Sequence, residues 1–318
     1  MLAANPVELD LHLPSGRLHA QRFVPPLPLG EAARSAGEGG ASADSAPSPP
    51  ALSQREREPR LVLCLPGLTA NMKSFDFLGE RLRSDNLQVV ALDLRGRGKS
   101  DLTPPGSYGM ESHARDVFAA ADALSFDRFS LIGHSMGAAV ALTAVRLDER
   151  RRIERVVLID LCGPPEPSTM PLISAAVSRL GSVYTSVEDY LAMVKQIGTV
   201  SPWSDYFERY LRYELMDAEG GGVRARSSRE AVLEDQAQFE GQRASDLYAL
   251  WPFVRQPVLL LRAARELLPG AGFILSQADR DRFAREVPHA RVIDVDANHY
   301  GIITSDASAA AIAQFFAP

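Results

Sequence analysis

A chain of 318 residues, with 46% hydrophobic and 23% charged residues, has ordinary globular composition and the length for one large α/β domain or two modest ones. Its formal net charge of -6 speaks against a nucleic-acid partner, because neutralising phosphates calls for a basic face. No window of about 18 uncharged apolar residues occurs and Met1–Asp10 has no basic-then-apolar leader, so a soluble, cytoplasmic protein with no membrane partner is expected.

In chain order, Val7–Leu13 alternates apolar and polar residues as a half-buried strand does, and Pro14-Ser15-Gly16 turns it toward a hairpin partner at Leu18–Val24. Residues 25–59 are rich in Pro, Gly, Ala and Ser, end in the charge run Arg55–Glu58, and carry few large apolar groups. Such a segment cannot bury enough surface to offset its ordering entropy, so a disordered insertion without a catalytic part is expected. From Arg60 the pattern is strand, loop, helix, repeated. Continuous apolar runs fall at Leu61–Leu65, Val89–Leu92, Phe129–Ile132, Val156–Ile159, Val258–Leu261 and Val292–Val295, with amphipathic stretches such as Phe75–Leu82 and His113–Leu124 between them. This is the signature of a mostly parallel sheet covered by helices on both faces.

The alternation breaks over residues 163–247. That stretch opens with Pro164, Pro165, Pro167 and Pro171 and then reads as helices carrying Tyr184, Tyr190, Trp203, Tyr206, Phe207, Tyr210 and Tyr213. A helical insertion over one edge of the sheet is expected, leaving residues 1–162 and 248–318 as the core. Its aromatic residues have two readings, an apolar pocket for acyl or aryl groups or the insertion's own core. Lysine is confined to Lys73, Lys99 and Lys195, which reads as coding bias. Cys64 and Cys162 lack metal-ligand spacing and read as buried, reduced thiols.

One stretch carries chemistry. Phe129–Ile132 runs directly into Gly133-His134-Ser135-Met136-Gly137 and then into the helix former Ala138–Leu142. Strand, sharp turn and helix is the context in which a G-x-S-x-G pentapeptide presents its serine as a nucleophile, with the glycines relieving crowding. The helix N-terminus offers free N–H groups and a partial positive charge to a developing oxyanion. An alkyl hydroxyl also needs a base. His12 and His19 fall in the hairpin, His113 opens a helix, His134 adjoins the serine but projects elsewhere, and His289 precedes the last strand. His299 follows that strand and so emerges beyond the carboxyl ends of the strands, on the face of Ser135. For the oxyanion, the Met136 N–H follows the nucleophile, and Leu68 in the loop Leu65–Asn71 is the candidate second donor.

Pro66-Gly67-Leu68, Asp93-Leu94-Arg95-Gly96-Arg97-Gly98-Lys99-Ser100 and Gly133–Gly137 together resemble the α/β-hydrolase superfamily, specifically its capped esterase, dehalogenase and carbon–carbon hydrolase branch. The likeness spans nearly all of the chain except residues 25–59. It implies an α/β-hydrolase fold with residues 163–247 as a helical cap, His299 as the base, and the Arg95–Ser100 turn as a structural element. Pro66 stands where the family usually has histidine. For the third member of a triad the resemblance offers Asp160, at the end of the strand Val156–Ile159, with Glu266 after the next core strand as the alternative. The loop around Glu266 lacks the family's usual glycine and aspartate, and Asp160 is preferred. Serine rather than aspartate at position 135 speaks against dehalogenase and epoxide hydrolase chemistry.

The expected activity is that of a serine hydrolase acting through an acyl-enzyme, first on carboxylic esters of small, acyl or aromatic substrates. Lactone or carbon–carbon bond hydrolysis is the alternative, and a small-molecule receptor on the same fold is the alternative of another class. Neither a metal nor an organic cofactor is called for, and oligomeric state is not readable.

Overall fold

The computed structural model describes residues 6–25, 59–240 and 246–317; apart from its two end residues, the segment 25–59 lies outside them. The chain opens with strands β1 (Val7–Leu13) and β2 (Gly16–Phe23), followed by β3 (Arg60–Leu65), helix α1 (Asp76–Leu82), β4 (Leu87–Leu92), α2 (Met110–Ala123), β5 (Phe129–His134), α3 (Met136–Leu147) and β6 (Ile153–Ile159). It closes with β10 (Val258–Ala263), α8 (Gln277–Glu286), β11 (Arg291–Val295) and α9 (Asp306–Phe316). One eight-stranded sheet results, in the order β1-β2-β4-β3-β5-β6-β10-β11. The hairpin β1–β2 joins β4 antiparallel, and the strands from β4 to β11 run parallel.

The continuous apolar runs are explained by burial on both faces. In β3, Leu61, Leu63 and Leu65 enter one core while Val62 and Cys64 enter the other. Val156 and Leu158 likewise alternate with Val157 and Ile159 in β6, as do Val258 and Leu260 with Leu259 and Leu261 in β10. The first core is roofed by α2, α3 and α8, the second by α1 and α9. Each fully buried Leu, Ile or Val contributes about 1.5–3 kcal/mol of transfer free energy, so the central strands are rigid supports for whatever stands at their ends. Helix α2 begins three residues before the expected His113, with Gly109 as its N-cap at φ 111°.

Residues 163–247 hold α4 (Met170–Ser178), β7 (Val183–Tyr184), α5 (Val187–Ile197), α6 (Asp205–Glu214), β8 (Leu215–Asp217), β9 (Val223–Ala225) and α7 (Arg229–Gln236). Beside these helices, a small antiparallel sheet, β7-β9-β8, which the sequence reading did not anticipate, is part of this segment. Strands of two or three residues are too short to show a period of two, and their sign is the turn Gly220-Gly221-Gly222, with φ of 87°, 104° and 78°. Ser186, Ser204 and Ser228 cap α5, α6 and α7 by accepting from Asp189 N, Phe207 N and Ala231 N. The segment is tied to the carboxyl ends of β3 and β4: Tyr213 Oη donates to Asp93 Oδ2 at 2.5 Å and Asn71 Nδ2 to the Tyr210 carbonyl at 3.4 Å. Among the described residues, no helix is long and apolar enough to cross a membrane.

Candidate active site

The sheet order brings the loops after β3, β5, β6, β10 and β11 to one edge, where a doubly wound sheet leaves its crevice. Ser135 occupies the one-residue turn between β5 and α3, at φ 54° and ψ -123°, a conformation costly for a residue with a Cβ. Surrounding backbone over-determines it: Ser135 N donates to the Ile159 carbonyl at 2.9 Å, and the Ser135 carbonyl accepts from Ala138 N at 2.8 Å. The flanking glycines are required by close approach. A Cβ on Gly133 would stand 2.2 Å from the Gly137 carbonyl oxygen, and one on Gly137 would stand 1.9 Å from that of Leu65. Met136 begins α3, so its N–H has no partner four residues back.

The loop after β3 passes directly over the serine, since a Cβ on Gly67 would lie 3.3 Å from Ser135 Cβ. Ala70 N closes a turn onto the Gly67 carbonyl at 3.1 Å, and Leu68 lines the cavity beside Ser135 and Met136. His299 comes off the end of β11 and lines the same cavity. Its Nδ1 is 2.7 Å from Asp160 Oδ2, while Asp160 Oδ1 accepts from Ala263 N at 2.8 Å. Asp160 is itself at φ 53°, immediately after β6. Burial opposes charge on both members, pushing the Asp160 carboxyl up and the His299 imidazole down. With Nδ1–H given to the carboxylate, the lone pair of a neutral His299 sits on Nε2, where it can accept a proton. His134 packs its ring 4.5 Å from that of His299 and donates from Nε2 to the His299 carbonyl at 3.0 Å, bracing the histidine loop.

Glu266 is half-buried and accepts from Gly270 N at 2.8 Å, so its carboxylate serves its own loop. The neighbouring arginines have other partners: Arg265 pairs with Asp296 and Arg262 with Asp294. Among the described residues, no group of three or more His, Cys, Asp or Glu side chains is arranged to hold a metal.

The cavity above Ser135 holds about 250 Å³ and is walled by aliphatic side chains, among them Leu172, Ile173, Met193, Val200 and Ile274. Of the aromatic residues noted in residues 163–247, Tyr210 lines it. Tyr190 and Phe207 are buried in the second core, Tyr206 donates to Glu80 and Tyr213 to Asp93, so these serve the segment's own packing and seating. Sequence reasoning missed Arg179, the one residue with a formal charge at neutral pH among the described residues that line the cavity. Its Nη1 donates to Tyr190 and to the buried carboxylate of Glu214, and its Nη2 donates to Thr69 Oγ1 at 3.2 Å. Glu214 therefore already balances its charge. Nothing in the spacing of Arg179 and Glu214 distinguishes them from surface charges on helices.

A family model described as alpha/beta hydrolase fold matches residues 60–306. N-formylmaleamate deformylase of Pseudomonas putida is 32% identical over 211 residues, covering 64% of this chain and 70% of the relative. 2-(Acetamidomethylene)succinate hydrolase of Mesorhizobium japonicum is 29% identical over 243 residues, covering 76% of this chain and 81% of the relative. The crystal structure of an E-2-(acetamidomethylene)succinate hydrolase superposes with a TM-score of 0.74 at 22% identity, over 98% of this chain and 99% of that one.

Proposed function

The chain belongs to the α/β-hydrolase family, and from that premise we propose that it is a serine hydrolase that cleaves uncharged, largely apolar carboxylic esters through an acyl-enzyme. The observation that carries the reading is the 2.7 Å contact of His299 Nδ1 with Asp160, with His299 lining the same cavity as Ser135. His299 Nε2 takes the Ser135 hydroxyl proton as Oγ adds to the acyl carbon. The oxyanion is held by the N–H groups of Leu68 and Met136, each such donor being worth roughly 3 kcal/mol in the transition state. Collapse breaks the acyl–oxygen bond, and the alcohol leaves with the proton from His299. Water then attacks the acyl carbon, giving a proton to His299, and the carboxylic acid departs as Ser135 recovers its hydrogen. Residues 163–247 act as a cap that supplies most of the acyl wall.

Amide hydrolysis is the second reading, favoured by the names of the relatives, one a deformylase and the other a hydrolase of an acetamido compound. One of those names specifies a succinate, yet here Arg179, the one cation among the described residues that line the cavity, is already paired with Glu214. A substrate carboxylate would find Arg179 already neutralised by Glu214, and burying a charge without a free counter-charge costs several kcal/mol.

A panel of p-nitrophenyl esters from acetate to octanoate, run with the hemisuccinate ester, an anilide and a lactone, tests this. Turnover of the neutral esters is expected, with kcat/KM for the hemisuccinate lower by at least about tenfold, equivalent to roughly 1.4 kcal/mol. Turnover restricted to the lactone or to the hemisuccinate would contradict the proposal.

A further inference from the structure

The turn Asp93–Ser100 holds an arginine that a structural role alone does not explain. Arg97 is fully buried, and a buried guanidinium is tolerated only when its charge and its N–H groups are matched. Its charge is met by Asp235 Oδ2 at 2.6 Å, from the last turn of α7. Asp235 is itself fully buried and also accepts from Gly109 N at 2.6 Å and from His113 Nε2 at 2.9 Å. Burial by itself would raise the Asp235 carboxyl, but His113 and Arg97 outweigh it and hold it down at about 2, so it remains a carboxylate. Arg97 Nη1 donates to the Arg95 carbonyl at 3.1 Å. The other edge of the guanidinium, Nε and Nη2, closes on a single acceptor, the carbonyl of Leu68, at 3.2 and 3.1 Å.

Leu68 lies between two peptide planes, and both are pinned. The plane that carries the Leu68 N–H also carries the Gly67 carbonyl, held by Ala70 N at 3.1 Å. The following plane carries the Leu68 carbonyl, held by Arg97. With both fixed, the two soft dihedrals of Leu68 have no freedom left, and the direction of its N–H is set before substrate arrives. We propose that Arg97 is a positioning residue for the oxyanion loop and that Asp235 of the 163–247 segment holds Arg97 in that role. The inference rests on the serine-hydrolase reading above. It makes the segment over the sheet a part of the oxyanion-stabilising apparatus as well as a wall of the pocket.

The test uses the full chain, its Arg97→Met and Asp235→Asn variants, and three readouts. Labelling of Ser135 by a fluorophosphonate reports on the parent reading. The values of kcat and KM on p-nitrophenyl butyrate, and inhibition by an alkyl trifluoromethyl ketone against the matching methyl ketone, report on the oxyanion loop. A trifluoromethyl ketone forms a tetrahedral oxyanion on the serine, whereas a methyl ketone binds largely as a ground-state ligand. In Arg97→Met, kcat is expected to fall roughly ten- to a hundredfold with KM within about threefold, and the preference for the trifluoromethyl ketone to shrink by a similar factor. Asp235→Asn should shift the same quantities in the same direction, and it decides alone if Arg97→Met does not fold. Unchanged kcat, a loss confined to KM, or equal weakening of both ketones in a folded variant would overturn the proposal while leaving Ser135 labelling intact. Absence of labelling in the unsubstituted protein would overturn the parent reading and this one with it.

Discussion

Ser135→Ala is expected to remain folded and to lose ester turnover by roughly a millionfold, the scale seen when the nucleophile of an acyl-transfer triad is removed. The fold survives because the turn is held by main-chain bonds, Ser135 N to Ile159 and Ala138 N to the Ser135 carbonyl, and neither uses the hydroxyl. Alanine carries the same Cβ into the same φ of 54°, so backbone strain is unchanged. The His299–Asp160 pair keeps its geometry, but nothing remains for Nε2 to deprotonate. The checks are kcat on p-nitrophenyl butyrate and the thermal midpoint, which should stay within about 4 °C of the parent, equivalent to less than roughly 2 kcal/mol for a domain of this size.

Asp160→Asn should cost about ten-thousandfold in kcat, whereas Glu266→Gln should leave kcat within about twofold. The reason lies in which oxygen of Asp160 is already spoken for. Oδ1 accepts from Ala263 N at 2.8 Å, a bond that an asparagine carbonyl reproduces. The asparagine NH2 is then left facing His299 Nδ1, where the carboxylate oxygen stood at 2.7 Å. Nδ1 must now accept a hydrogen bond, the imidazole proton moves to Nε2, and the ring can no longer take the proton of Ser135. Glu266 has no such position: its carboxylate accepts from Gly270 N, and glutamine accepts equally well there. The two variants compared by kcat at one pH separate the candidates. A large loss in Glu266→Gln together with a small one in Asp160→Asn would reverse the assignment.

Much of the fold was legible because burial on two faces leaves a local mark. Apolar runs such as Leu61–Leu65 and Val156–Ile159 divide their side chains between two cores, and no solvent-facing sheet produces that pattern. The turn at Ser135 was legible for the same kind of reason, since Gly133 and Gly137 are demanded by neighbours only a few residues away or on the adjacent strand. His299 could be singled out by its place after the last strand. The preference for Asp160 over Glu266 rests in the sequence on the composition of the loop around Glu266, whereas the contact of Asp160 with Ala263 N depends on β6 lying next to β10, which no local pattern shows.

The rest depended on contacts far apart in the chain. The Arg97–Asp235 pair joins the turn after β4 to a residue deep within the inserted segment, and in the sequence Arg97 is one of two arginines in a glycine-rich turn. Arg179 and Glu214 look like ordinary surface charges on helices until the segment folds over the sheet and buries them together. The aromatic residues of that segment invited a pocket reading, yet most of them pack or anchor the segment, and the cavity wall is mainly aliphatic, with Tyr210, Phe239 and Tyr300 among its lining. Aromatic side chains bury well anywhere, so their number alone carries little information about which surface they serve.

The most direct test of the central claim is mass spectrometry of the folded protein after treatment with a fluorophosphonate. One adduct per chain is expected, on the peptide that contains Ser135, and Ser135→Ala should abolish it. A folded protein that takes up no label, as a small-molecule receptor on this fold would, or that is labelled at another residue, would contradict the account.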